Sequence, residues 1–326
     1  MYTNTSAEIR PELQLVVQEA LEAEKFFIAD QVFPPFGVGT KTGEYRKILK
    51  SSGELLTLTG SDQTIRAPRT AYKEVDRTYE KASFACQDRG LMEVVDDSEQ
   101  ADLARFFDAE SVSTRLVLAN ILRAHEKRVA TKIMNESTWG KVDALAAYTE
   151  AGIANIDVAQ DIEEAIARVH KRGEAVNTII LSRNIWKRVR RSQKLREYIF
   201  GGDSGGKIVT KDIFLSIFQD SAPLQNLMIA EAVESTARKG AAVPDSKLEY
   251  IWGDSYIWLG NVQAGAPEMG GAGRCFYWEE DAEFSYVVES YRDEARRSNV
   301  VRVRQHNDEH VVNECAGTLI KTGYTA

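Results

Sequence analysis

Cysteine and histidine are scarce in this chain of 326 residues. Its three cysteines, Cys86, Cys275 and Cys315, lie far apart, with no Cys-x-x-Cys pair among them. That argues against a disulfide framework or a structural zinc motif and points to a reducing compartment. No run of eighteen apolar residues exists, which excludes an apolar membrane-spanning helix. Residues 1–10 lack the apolar core of a signal peptide. Nor is there a basic surplus. Lysine and arginine number 41 against 49 acids, a net charge of −8, which argues against a dedicated nucleic-acid binder. What is present suits a folded protein: 43% hydrophobic and 28% charged residues are too apolar for disorder and enough for a sizeable core.

The charge is unevenly spread. Leu13, Val16, Val17, Ala20, Leu21, Phe27 and Ile28 recur at helical spacing, predicting one amphipathic helix that ends at Pro34-Pro35. Residues 1–30 carry six acids and two bases. Such a helix packs on its own domain or serves as an arm that docks elsewhere. Residues 41–81 are poor in large apolar side chains and hold nine bases against six acids. Within them, Leu55 to Thr59 and Gln63 to Arg66 read as strands around the Gly60-Ser61-Asp62 turn. A polar hairpin of opposite sign to the rest of its chain suits docking on another subunit; a solvated lid is the plainer reading.

Further on, Asp108 reads as the N-cap of a long helix over residues 108–135, with Leu118, Leu122, Val129 and Ile133 on one stripe. Asp157 reads as the cap of a second helix, with Ile162, Ile166 and Val169 inward and Gly173 at its end. Residues 177–181 read as a strand, 183–196 as a basic helix around Trp186, and 247–259 as aromatic-rich strands. The tail alternates in a β manner at 284–288, 300–304, 310–314 and 318–320. The fold class is α+β.

Four motifs invite a chemical reading. Gly202-Asp203-Ser204-Gly205-Gly206 matches the surroundings of a serine-protease nucleophile, but His125, His170, His306 and His310 all lack the Ala-His-Cys context of its base. A Gly-rich turn is the default. Gly201 to Lys207 spells most of a P-loop, yet Ile208 replaces the required Ser or Thr, and Lys207 opens a strand-like Ile208-Val209. His306-x-x-Glu309-His310 has inverted zinc-protease spacing, but strand-like flanks make residues 307–309 a hairpin turn. The seven bases within residues 183–196 could track phosphates; Ile185, Trp186, Val189 and Leu195 favour an ordinary amphipathic helix. No catalytic, cofactor or metal residue is assigned.

One stretch carries a resemblance. Asp157-x-x-x-Asp161-Ile162-x-x-Ala165-Ile166, Gly173, Asn177 to Ser182 and Trp186-x-x-Val189-Arg190 are followed by Val209 to Asp212, Phe214-Leu215 and Glu249 to Gly253. In order and spacing this resembles tailed-phage major capsid proteins of the Hong Kong 97-type fold, close to the lambda-type head protein group. Ser192-Gln193 stands where that family usually has His-Pro, and Val176 where it has Pro. The resemblance reaches over nearly the whole chain.

It implies an N-terminal arm (1–35), an extended β-hairpin loop (36–85), a peripheral domain with a long spine helix (86–150 and 266–326) and an axial domain (151–265). The implied function is a self-assembling icosahedral head shell around double-stranded DNA, located in the virion after synthesis in the host cytoplasm. No enzyme activity and no cofactor are implied. The expected partners are further copies in hexamers and pentamers, portal and scaffolding proteins, a decoration protein, and DNA enclosed without sequence-specific binding; no membrane is involved. A separate scaffold or a processed start accounts for the missing cleaved segment. Lys47, Lys50, Arg66 and Arg69 of the loop, facing Glu19 and Glu22 of a neighbour's arm, are the expected subunit contacts. The rivals are an encapsulin-type compartment and a hydrolase using Ser204.

Overall fold

Asp108 stands at the start of the longest helix, where the sequence places it, although its carboxylate caps no backbone N–H. Helix α4 runs over Ala109–Ile133, with Asp108 extended at its start and the Asp108 carboxylate accepting from the Ser111 hydroxyl. Its 25 residues span roughly 38 Å at 1.5 Å per residue. The predicted stripe is the buried one: Leu118, Leu122, Val129 and Ile133 are each at most 4% exposed. The computed structural model describes residues 8–9, 11–23, 26–48, 66–71, 79–103, 108–202, 207–238, 244–280 and 286–324.

Helix α4 lies on a six-stranded sheet built around β14 (Ser298–Val311). One edge of β14 pairs antiparallel with β5 (Gln87–Asp96). Its other edge pairs with β13 (Val287–Asp293) and then β12 (Gly273–Trp278), both antiparallel. The short β1 (Glu8–Ile9) extends the sheet beyond β13, and β2 (Pro35–Val38) runs parallel to β12. Val301 and Val303 face α4 and meet Val117, Leu118, Ile121 and Leu122 in one apolar cluster with Val288. This strand corrects the sequence reading, which placed a hairpin turn at residues 307–309. Alternation continues unbroken through Gln305, Asn307 and Glu309, all at most 3% exposed. Their polarity mimics a turn, but Asn307 finds Cys275 of β12, and Glu309 finds His125 and Arg128 of α4.

A second sheet has the order β6 (Lys141–Asp143), β15 (Gly317–Lys321), β11 (Tyr256–Gly260), β7 (Thr178–Ser182), β8 (Asn226–Ala230). One face packs Ile179, Leu181, Ile257 and Leu259 under α6 (Val158–Lys171), α7 (Arg183–Val189) and α9 (Lys211–Phe218). The other packs Ile180, Trp258 and Leu319 with Val129 and Ile133 of α4 and with Trp139, at the end of α5 (Glu136–Trp139). The long helix therefore touches both sheets. Gln160 N donates to Asp157, so the predicted cap of α6 is in place. Trp252 and Trp258 are core residues, 2% and 0% exposed.

Three further expectations change. The first helix is two: α1 (Pro11–Ala23) and the single turn α2 (Ala29–Val32). The basic helix is also two, α7 and α8 (Gln193–Phe200), because the fully buried Ser192 caps α8 by accepting the Leu195 N–H and itself donates to the Ile156 carbonyl, 2.8 Å away. Residues 207–210 form no strand; they lead to Thr210, the N-cap of α9. The strand predicted at 55–59, residues 63–65 of the strand predicted at 63–66, and the residues Asp203 to Gly206 lie outside the described residues; Arg66 itself is not in a strand. Helix α3 (Asp97–Leu103), β9 (Val233–Ser235) and β10 (Leu248–Tyr250) complete the labelled elements, with β3 and β4 described below.

Gly317 pairs with Gly260 across β15 and β11, and the Trp258 indole fills the space that a Cβ on either would take. A Cβ on Gly317 would sit 2.8 Å from that ring. Gly317→Ala should therefore lower the unfolding free energy by about 2 kcal/mol, the usual range for overpacking. Urea denaturation followed by tryptophan fluorescence measures it, and an unchanged midpoint would contradict this packing.

Candidate functional site: the long helix and the charged surfaces around it

The arm packs on its own chain. Leu13, Val17 and Ala20 of α1 meet Val117, Leu118 and Ile121 of α4. Glu19 lies 3.9 Å from Arg115, both about 60% exposed, an ion pair of small worth in water. Glu22 follows on the next turn of α1. The base of the predicted hairpin is formed: β3 (Thr42–Ile48) and β4 (Tyr79–Ala85) pair antiparallel, with Lys47 opposite Glu80. Tyr45 and Phe84 anchor that base against Phe276 at centroid distances of 5.2 and 4.9 Å. Arg66 donates to the Thr70 carbonyl at 3.0 Å in an exposed turn, and Arg69 takes a positive φ of 71°. Lys50 lies outside the described residues. In the single chain, Arg66 and Glu19 both face partners of their own subunit.

The cationic stretch 183–196 contributes to a cleft instead of a continuous helix face. About 740 Å³ in volume, it is lined by Arg183, Lys187, Arg190, Arg191 and Lys211 together with Trp186. Arg183 pairs with Glu231, and Arg191 with Glu150 at 2.6 Å. The lysine of the P-loop-like run, Lys207, stacks over Phe200 at 5.4 Å.

The centre that the sequence reading missed is polar and buried. Glu126, fully buried on α4, accepts the backbone N–H of Ile28 at 3.0 Å and of Ala29 at 2.8 Å, and also the Trp252 indole N–H. It thereby ties the chain between α1 and α2 to α4 and to the loop preceding β11. Burial pushes its carboxyl pKa up, and these three donors pull against that shift. The adjacent His125 is 1% exposed, with Nδ1 2.9 Å from Glu309 Oε1 and Nε2 3.1 Å from Asp30 Oδ1. Burial disfavours the imidazolium, but the two carboxylates outweigh it and hold the pKa at about 9. Burial likewise acts against the Glu309 carboxylate; His125 and Arg128, whose Nε is 2.8 Å away, bring it down to about 2. The only sequence signal was the presence of polar residues within an apolar helical stripe and an alternating strand.

The zinc-protease-like spacing of His306 and His310 does not bring the two rings together. They lie four residues apart on one face of an extended strand, about 13 Å between Cα atoms. His310 contacts Asp308 at 2.7 Å and His306 packs edge-on to Trp278.

No protein-family model and no curated protein matches this sequence. Solved structures do match in three dimensions. A phage-related protein from Bordetella bronchiseptica RB50 superposes with a TM-score of 0.70 at 19% identity, over 98% of each chain. The capsid of the cyanophage P-SCSP1u gives 0.56 at 10% identity, covering 90% of this chain and 88% of that one. The capsid of an empty GTA particle gives 0.54 at 15%, covering 92% and 91%. The chain has the Hong Kong 97-type capsid fold.

Removing the Glu126 carboxylate strands three buried donors. Glu126→Ala should cost about 3 kcal/mol or more, and Glu126→Gln, which keeps one acceptor oxygen, clearly less. Denaturant unfolding gives the ranking. Accelerated amide exchange at Ile28 and Ala29 in Glu126→Ala would locate the damage, and unchanged exchange there would refute the anchoring role.

Proposed function

We propose that this chain is the major capsid protein of a tailed phage, a structural subunit without catalytic function that assembles into the icosahedral shell around double-stranded DNA. The observation that carries this reading is the superposition on solved capsid structures over at least 90% of this chain. The arm would comprise residues 1–35, the extended loop 36–85, the peripheral domain 86–150 and 266–326, and the axial domain 151–265. The second sheet supports an axial unit that borrows β6 and β15 from either side of those bounds.

Assembly then proceeds through many weak contacts whose sum exceeds any one of them. The basic loop, with Lys47, Lys50, Arg66 and Arg69, lies over a neighbour's acidic arm at Glu19 and Glu22. Charge sets the register of that contact more than its strength. The exposed, weakly paired state of Glu19 supports its availability to a second copy. Portal, scaffolding and decoration proteins would be the further partners. The acidic body suits a container in which duplex slides instead of adhering.

Electron microscopy of the expressed chain tests the reading: closed shells are expected, and a monomer under all conditions would overturn it. Shells from infected cells should hold nuclease-protected duplex; protein cargo in its place would favour an encapsulin-type compartment. The variant with Lys47, Lys50, Arg66 and Arg69 all changed to Glu should show a native circular dichroism spectrum and no shells. Normal shells from it would dismiss the docking of loop on arm. Labelling of Ser204 by a fluorophosphonate would revive the hydrolase reading.

A further inference from the structure

We propose that His125, Cys275, Glu309 and Asn307 form a buried site for a thiophilic divalent cation of the zinc class, pinning the long helix to the sheet beneath it. The proposal goes beyond the shell reading and does not depend on it. The sequence argued against a structural zinc motif because its three cysteines lie far apart with no Cys-x-x-Cys pair; the fold assembles the donors from α4, β12 and β14.

Register does the first part. Cys275 and Glu309 are directly opposed across β12 and β14, and Tyr277 opposes Asn307 one step along the same face. His125 comes from α4 above them. Its ring nitrogen, the Cys275 sulfur and a Glu309 oxygen all lie within 4.8 Å of one another, and all three residues are buried. Nitrogen, thiolate sulfur and carboxylate oxygen make up a donor set that suits zinc better than the hard cations.

Two independent features point to a ligand. The first is the other side of the histidine: Nε2 faces the Asp30 carboxylate at 3.1 Å while Nδ1 faces the cluster. A metal-bound histidine typically has just such a carboxylate on its second nitrogen, fixing tautomer and ring orientation. The second is Asn307, 3% exposed, whose Oδ1 is buried without a hydrogen-bond partner. Its amide nitrogen lies 3.4 Å from Glu309 Oε1 and 3.7 Å from Cys275 Sγ. A half-turn of the amide directs the orphaned oxygen at the cluster as a fourth donor.

Charge permits the exchange. As the cation enters, the Cys275 thiol and the His125 imidazolium each release a proton, so two positive charges leave as two arrive. Arg128, 2.8 Å from Glu309 and 24% exposed, can yield a carboxylate oxygen to the cation and keep its head in solvent. Lys132 donates to the Glu309 backbone carbonyl and not to its carboxylate.

The test uses purified full-length protein stripped with a chelator and titrated with Co²⁺. One equivalent per chain should produce the thiolate-to-cobalt charge-transfer band, and Zn²⁺ should erase it. Cys275→Ala should abolish the band while Cys86→Ala and Cys315→Ala retain it, with circular dichroism confirming that each variant folds. Asp30→Asn, a change at a half-exposed side chain, should keep the band and weaken affinity tenfold or more. No band in the unaltered protein, or a band that survives in Cys275→Ala, would overturn the site. An affinity unchanged by Asp30→Asn would overturn the role given to that carboxylate.

Discussion

A carboxylate removed from water must be given donors or it will not stay charged, and two such carboxylates organise this chain. Glu126 takes its donors from the backbone at Ile28 and Ala29 and from the Trp252 indole. Glu309 takes its donors from His125 and Arg128. Both sets pass through α4. The arm, the six-stranded sheet and the loop before β11 are therefore tied to one helix by contacts that tolerate little displacement, since a shift of an ångström leaves a buried charge unpaired.

The apolar contacts around α4 have a different character. Its first turns lie on Val288, Val301 and Val303 of one sheet, and its last on Ile180 and Trp258 of the other. Such burial supplies most of the cohesion but little orientation, because methyl groups slide at small cost. The polar anchors add direction midway along the helix. Held in this way, α4 is a rigid strut between two sheets.

Much of the fold was legible in the residues. Asp108, Asp157, the Leu118 to Ile133 stripe and the Ile162 to Val169 face were readable because caps and 3.6-residue periodicity act within a few residues. The split of residues 183–196 was not, since Ser192 looks like an ordinary polar position until the Ile156 carbonyl comes to meet its hydroxyl. The buried cluster was illegible for the same reason at longer range: His125 and Glu309 are 184 residues apart. In sequence, Glu309 suggested a partnership with the histidines on either side of it. In the strand it points away from both.

By itself, then, the sequence determined where most helices and strands form, that the chain has an acidic body with a basic loop, and, through ordered motifs, which capsid fold to expect. Local backbone preference and hydrophobic period are properties of neighbours along the chain, so they survive without tertiary context. Tertiary structure decided that β14 is one unbroken strand, that the basic stretch lines a cleft, and that His125, Cys275 and Glu309 share a buried centre. Each of those depends on a partner brought from elsewhere in the chain, and a polar residue's role is set by that partner.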